Sequence, residues 1–175
     1  LIFAAAKRVL EKTSDAMFLF VGEELHRGMH GSDAYKRSMA DLVVKLGIGE
    51  RCKFIGNRDD VAQVYSACDI TVLPSLFEGT PNVLLESMAC GVPIVATNVS
   101  DNGQIAPDGE VGFLVPLGDE IAMANRIMRF IEDAELKRRM GLNAREWIER
   151  HFSSQRLAEK TQDVYLEALS HRSRN

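Results

Sequence analysis

Apolar and polar positions follow two rhythms along the chain, and each change of rhythm marks an element. Residues 1–12, LIFAAAKRVLEK, carry apolar side chains at helical spacing. AMFLFVG (16–22) is a short continuous apolar run closed by Gly22, which reads as a strand buried on both faces. From Ser32 a helical pattern places Tyr35, Met39, Leu42, Val43 and Leu46 on one face, and Gly47 stops it. CKFIG (52–56) is a second strand, and Asp59 or Asp60 then caps a short helix with Val61, Val64, Tyr65 and Cys68 at offsets 0, 3, 4 and 7. ITVLP (70–74) is a third strand, followed by a helix over Pro81–Cys90. PIVAT (93–97) and GFLVP (112–116) add two more strands. Three helices close the chain. Asp119 and Asp133 cap the first two, Ser153 or Ser154 opens the last, and the last carries Leu157, Thr161, Val164, Tyr165 and Leu169 on one face.

Strands alternating with helices across short connections predict βαβ units. The fold class is therefore α/β, a Rossmann-like parallel sheet with helices on both faces and right-handed crossovers. The length of 175 residues suits one domain, here residues 1–170, with 171–175 left as a polar tail. No repeats or low-complexity tracts interrupt it.

Composition narrows the partners. A net charge of −4 argues against nucleic acid gripped through its phosphates. Cys52, Cys68 and Cys90 are odd in number and lack CxxC spacing, which predicts buried reduced thiols and a cytoplasmic setting. The four histidines have no metal spacing and none is assigned a catalytic role; no metal and no cofactor is expected. No apolar run approaches the roughly 20 residues of a membrane-spanning helix. Lys137, Arg138, Arg139, Arg145 and Arg150 read as a solvated helix face, with a membrane-surface contact as the minority reading.

The chemistry concentrates in LFEGTPNVLLESMACG (76–91). Open α/β sheets bind ligands beyond the carboxyl ends of their strands. Here a strand ends at Pro74, a loop runs from Ser75 to Thr80, and a helix begins. The leading amides of that helix suit a diphosphate, with Gly79, Thr80, Asn82 and Val83 as candidate donors and Gly79 allowing close approach. Glu86 interrupts an otherwise apolar run, where burying a carboxylate is costly unless something hydrogen-bonds to it. It lies five residues past Pro81, about 7–8 Å along the axis. That matches the reach from a nucleotide's pyrophosphate to its ribose hydroxyls. Glu78, at the loop tip, would face whatever hangs from the far phosphate. The plainer alternatives are that Glu86 pairs with a neighbouring Lys or Arg and that Glu78 is a solvated loop acid. Gly22 ends a strand where a second ligand-facing loop is expected, or simply makes a turn. Residues 100–112, SDNGQIAPDGEVG, form a polar loop that is either a ligand wall or another turn.

The stretch PSLFEGTPNVLLESMACGVPIVATNVSDNGQIAPDGEVGFLVPLGD, with its two glutamates eight positions apart, resembles the C-terminal, donor-binding domain of the retaining glycosyltransferases of GT-B architecture. The resemblance extends over nearly the whole chain. It implies that a nucleoside-diphosphate sugar is the donor, that Glu86 binds the ribose hydroxyls and that Glu78 faces the donor sugar as the catalytic carboxylate. It also implies that Ser75, Gly79, Thr80, Pro81 and Asn82 line sugar and diphosphate, with Gly22 and backbone near Phe54, Ile55 and Gly56 toward the remaining donor groups and the base. The family's Gly-rich turn G-D-G-P is replaced here by GEELHRG, and its basic G-R-x-x-x-K-G segment and the strand before it would precede Leu1. The expected sheet therefore lacks its first, central strand, with flanking strands closing the gap or another segment filling it. The implied partners are the donor and an N-terminal acceptor-binding domain absent from this chain, with peripheral membrane contact through a lipid-linked acceptor. A fragment of this kind is expected to bind donor without turnover. A sugar-nucleotide epimerase of the same architecture and a non-catalytic binding module stand as alternatives.

Overall fold

The computed structural model describes residues 1–22 and 32–172. Elements follow the order α1 (Ile2–Leu10), β1 (Phe18–Val21), α2 (Ser32–Lys45), β2 (Cys52–Gly56), α3 (Val61–Ser66), β3 (Thr71–Leu73), α4 (Asn82–Ala89), β4 (Ile94–Thr97), α5 (Asn102–Ile105), β5 (Gly112–Val115), α6 (Glu120–Glu132), α7 (Ala134–His151) and α8 (Ser154–Arg172). Every described strand pair is parallel, as a chain of crossover helices requires.

The five described strands form two sheets, β1–β2 and β3–β4–β5. Neither expected repair of the sheet occurs among the described residues: β1 and β3 do not pair, and no described strand stands between them. α1 spans both sheets instead. Its Phe3 and Ala6 pack with Cys52 of β2, while Ala5 and Val9 pack with Val95, Phe113 and Val115 of the larger sheet. The contrast shows in burial. β4, paired on both sides and covered on both faces, is buried at all four positions, whereas β1 alternates between half-buried and exposed.

The larger sheet has helices on both faces. Val95, Phe113 and Val115 meet α1 and α6 through Met123, Ala124, Ile127 and Met128. Ile94 and Ala96, one pleat over, meet Leu84 and Met88 of α4 and Ala144 and Ile148 of α7. Burying each such apolar side chain is worth about 1.5–3 kcal/mol.

Caps and stops fall largely where the residue types place them. Asp119 and Asp133 accept from the amides of Ala122 and Leu136, both at 2.8 Å. Gly47 closes α2 at φ 72°. Asp60 occupies the cap position of α3 but makes no cap bond. Its carboxylate is taken by the Arg58 guanidinium at 2.7 and 2.6 Å, which holds it below the usual carboxylate range. α8 departs from expectation: Leu157, Val164, Tyr165 and Leu169 are all exposed, so its apolar stripe is not buried in the core. Of the α7 cations Arg138 and Arg145 behave as a solvated face, paired to Glu135 and Glu149 at 2.8 and 3.0 Å, whereas Lys137 is half-buried and pairs with Asp69, just before β3, at 2.5 Å.

Candidate active site at the carboxyl edge of the strands

The loop after β3 and the helix it feeds are fixed from below. α4 buries Leu84, Ser87 and Met88, an i, i+3, i+4 face. Ser87 is the buried polar residue of this helix, and its hydroxyl lies 3.1 Å from the Val92 carbonyl oxygen and 2.8 Å from the Thr71 hydroxyl. Glu86 is one position off that face and is exposed. The expected cost of burying it therefore does not arise. The run Val83–Cys90 is amphipathic, and its glutamate sits on the outer side.

Glu86 is nonetheless held. The Tyr65 hydroxyl of α3 donates to its Oε2 at 3.2 Å. Partial burial, then the Glu86 charge and the hydrogen bond to it, push the Tyr65 hydroxyl well above its ordinary value, so it remains a donor. No lysine or arginine among the described residues pairs with Glu86. The internal-cation alternative is thereby excluded for those residues.

The amino end of α4 is open. Pro81 occupies the cap position without a side-chain bond, and the first amide bonded back into the helix is that of Leu84, to the Pro81 carbonyl oxygen at 3.1 Å. The helix therefore begins one residue later than expected, and Asn82 and Val83 present the amides that a first turn leaves unpaired. α6 and α7, by contrast, spend carboxylates on this position. Asn82 and Thr80 are exposed and Pro81 is buried. A Cβ added at Gly79 would meet nothing within 4 Å, so the space above the loop is open.

Glu78 is half-buried and belongs to a second network. The Ser75 hydroxyl donates to its carboxylate, and its own amide donates to the Ser100 hydroxyl at 3.2 Å. Beneath them the buried Thr97 hydroxyl donates to the Ser75 carbonyl oxygen at 2.6 Å. Asn102 donates to the Thr97 carbonyl oxygen at 2.8 Å, and its own Oδ1 has no hydrogen-bond partner among the described residues. Ser100 adopts φ 47°, an unusual conformation for a residue with a Cβ. The turn it makes brings the loop after β4 onto the loop after β3, so part of the 100–112 stretch is a wall of the Glu78 loop. Within that stretch Asn102–Ile105 forms the short helix α5, which the polar pattern did not predict.

Gly22 and Gly56 meet at the carboxyl ends of β1 and β2. The Gly22 amide donates to the Gly56 carbonyl oxygen at 2.8 Å, and both glycines have positive φ, 120° and 67°. Ile55 and Phe54 are exposed beside them. Most of the expected loop after Gly22, GEELHRG, lies outside the described residues.

The structure thus ties Ser75 to Glu78 and Gly22 to the Ile55–Gly56 strand end, and adds one residue missed in the sequence, Tyr65. On the sequence Tyr65 is only a member of an apolar face, although a phenol on such a face carries a hydroxyl needing a partner. Ser100 heads the 100–112 loop that the sequence marks as a ligand wall or a turn, and its hydroxyl takes the Glu78 amide. Among the described residues no cluster of three His, Cys, Asp or Glu side chains is placed to hold a metal ion, and no helix is long and apolar enough to cross a membrane.

Residues 1–147 match the family model described as glycosyl transferases group 1. N-acetyl-alpha-D-glucosaminyl L-malate synthase of Bacillus anthracis is 34% identical over 132 residues, covering 75% of this chain and 35% of the relative. Among solved structures, sucrose-phosphate synthase of Thermosynechococcus elongatus superposes with a TM-score of 0.83 at 29% identity, over 97% of this chain and 42% of that one. HepE of Anabaena, solved in complex with UDP, gives 0.81 at 26% identity, over 93% of this chain and 44% of its own. The chain therefore spans well under half the length of these similar proteins.

Proposed function

Because the chain belongs to the glycosyl transferases group 1 family and has the fold of the C-terminal domain of a GT-B glycosyltransferase, we propose that it binds the nucleoside-diphosphate sugar donor of a retaining glycosyltransferase. The acceptor on this reading is a glycan or a lipid-linked sugar, met in the cytoplasm and, for a lipid, at the membrane surface.

One observation carries the reading. Glu86 presents an exposed carboxylate, fixed by Tyr65 and unpaired with any described cation, on the same helix whose first amides are uncapped. A carboxylate accepts from two vicinal hydroxyls, and unpaired amides at the positive end of a helix attract phosphate. About 6 Å of helix separates Asn82 from Glu86, which suits a ribose and the diphosphate attached to it. HepE, whose structure holds UDP, supports the same ligand class.

Each residue then has a task. Glu86 accepts from the 2′ and 3′ hydroxyls. The amides of Asn82 and Val83, with Gly79, Thr80 and Pro81 lining the space, face the diphosphate. Glu78, held by Ser75 and Ser100, faces the sugar, and Gly22, Ile55 and Gly56 form the ledge for the base. Bond breaking moves negative charge onto the diphosphate, and amides already aimed there lower the barrier. The site is proposed to work without a metal. Since the chain covers 35% of the Bacillus anthracis relative, it is proposed to bind donor without turning it over alone.

Titration calorimetry with UDP-, GDP- and ADP-sugars tests this. One of them should bind, and Glu86→Gln should weaken it about tenfold or more while leaving the melting temperature nearly unchanged. Binding should persist in EDTA. Unchanged affinity in Glu86→Gln, or affinity that appears only with a divalent cation, would contradict the reading.

A further inference from the structure

We infer that Tyr65 is a positioning residue for the donor's ribose. It acts through Glu86, by fixing one carboxylate oxygen so that the other is presented to the sugar diol. This inference rests on the donor-site reading above and deepens it.

The two residues come from different helices. α3 (Val61–Ser66) follows β2, whose end carries Ile55 and Gly56, and α4 (Asn82–Ala89) carries Glu86. The Tyr65 hydroxyl donates to Glu86 Oε2 at 3.2 Å. Across the same seam the Cys90 thiol lies 3.9 Å from the Ala62 carbonyl oxygen, so the two helices are in contact beyond the single pair. Glu86 is exposed, and an exposed glutamate ordinarily samples several rotamers, so fixing it costs conformational entropy. Tyr65 is half-buried and has only two torsions, so it is a rigid post. Its bond to Oε2 restricts the carboxylate before any ligand arrives and leaves Oε1 wholly unbonded among the described residues. A ribose presents two adjacent hydroxyls, and a carboxylate with one oxygen held and one free is preorganised for them. A lysine or arginine in place of Tyr65 would also hold the carboxylate, but it would neutralise the charge that makes Glu86 a strong acceptor. Tyrosine orients it and leaves the charge in place. The pair also couples the base-side and ribose-side elements, since α3 begins five residues after the Gly56 ledge.

The test compares a nucleotide with its counterpart lacking the diol. Calorimetry of the whole chain would use the tightest binder among UDP, GDP and ADP, together with the 2′,3′-dideoxy form of the same nucleotide. Tyr65→Phe keeps the ring and removes only the hydroxyl. It should weaken the ribonucleotide roughly fivefold and leave the dideoxynucleotide within experimental error. Glu86→Gln should show the same selectivity with a larger loss. Equal loss for both nucleotides in Tyr65→Phe would make Tyr65 a merely structural residue and overturn the inference, as would no loss for either. If Tyr65→Phe is silent while Glu86→Gln is selective, the positioning role alone falls. If Glu86→Gln shows no selectivity, or none of the three nucleotides binds the wild-type chain, the donor-site reading falls and takes this inference with it.

Discussion

The Glu78 amide donates to the Ser100 hydroxyl and ties the loop after β3 to the loop after β4, while the Ser75 hydroxyl holds the Glu78 carboxylate within its own loop. Glu78 is thus aimed by its neighbours. Ser75→Ala should release its carboxylate and weaken a bound nucleotide sugar roughly fivefold, while the matching nucleoside diphosphate, which lacks the sugar, binds as before. Calorimetry with the two ligands separates these, and equal weakening of both would place Glu78 away from the sugar. Tyr65 makes a second prediction, in pH. Burial and the Glu86 charge raise its hydroxyl in the folded chain above the ordinary value of about 10. The folded state therefore holds this proton more tightly than the unfolded state. Its contribution to stability should be complete below about pH 10 and should decline above it. Tyr65→Phe should flatten that alkaline limb in melting curves, and an unaltered limb would show that other groups cause it. Sequence spacing singled out both glutamates, because a carboxylate in a strand-loop-helix segment is visible in one dimension. Their partners from other segments were not visible as partners, because Tyr65 lies 21 positions from Glu86 and Ser100 lies 22 from Glu78. Only the fold brings them together.

At the scale of elements, α4 is placed by the helix packed behind it. A Cβ at Gly141 of α7 would run into the Gly91 carbonyl oxygen and sit 3.3 Å from its carbon, at the turn that ends α4. Backbone cannot step aside as a flexible side chain can. Gly141→Ala should therefore cost about 1–3 kcal/mol and displace α4, lowering nucleotide affinity along with the melting temperature. Gly49 is the matched control. Its added Cβ would meet only Val43 Cγ1, at 3.8 Å. Gly49→Ala should stay within about 0.5 kcal/mol of the wild type. Comparable losses in the two variants would show that close α4–α7 packing is not what Gly141 provides. The elements themselves were largely legible, since period-2 and period-3.6 patterns and the aspartate caps are local signals. Two features were not. Periodicity gave α8 an apolar stripe but could not say whether anything covers it, and Leu157 and Leu169 are exposed. The apolar run around Glu86 suggested burial, but α4 rests only one face on the sheet, so its glutamate faces outward.

At the scale of the whole molecule, two parallel sheets share one helix, α1, and the strand ends of both carry candidate site residues. Gly22, Ile55 and Gly56 stand at the smaller sheet, and Glu78 and the start of α4 follow the larger. The sequence resemblance anticipated a disturbed sheet but not a divided one, because pairing across the middle depends on geometry that no local pattern encodes. The central claim is that the Glu86 carboxylate takes the ribose while the leading amides of α4 take the diphosphate. A crystal structure of the chain with its tightest-binding nucleoside diphosphate tests that claim directly. The account predicts the 2′ and 3′ hydroxyls about 3 Å from Glu86 and phosphate oxygens on the amides of Asn82 and Val83. A nucleotide bound with its ribose away from Glu86, or with its phosphates held elsewhere, would contradict it.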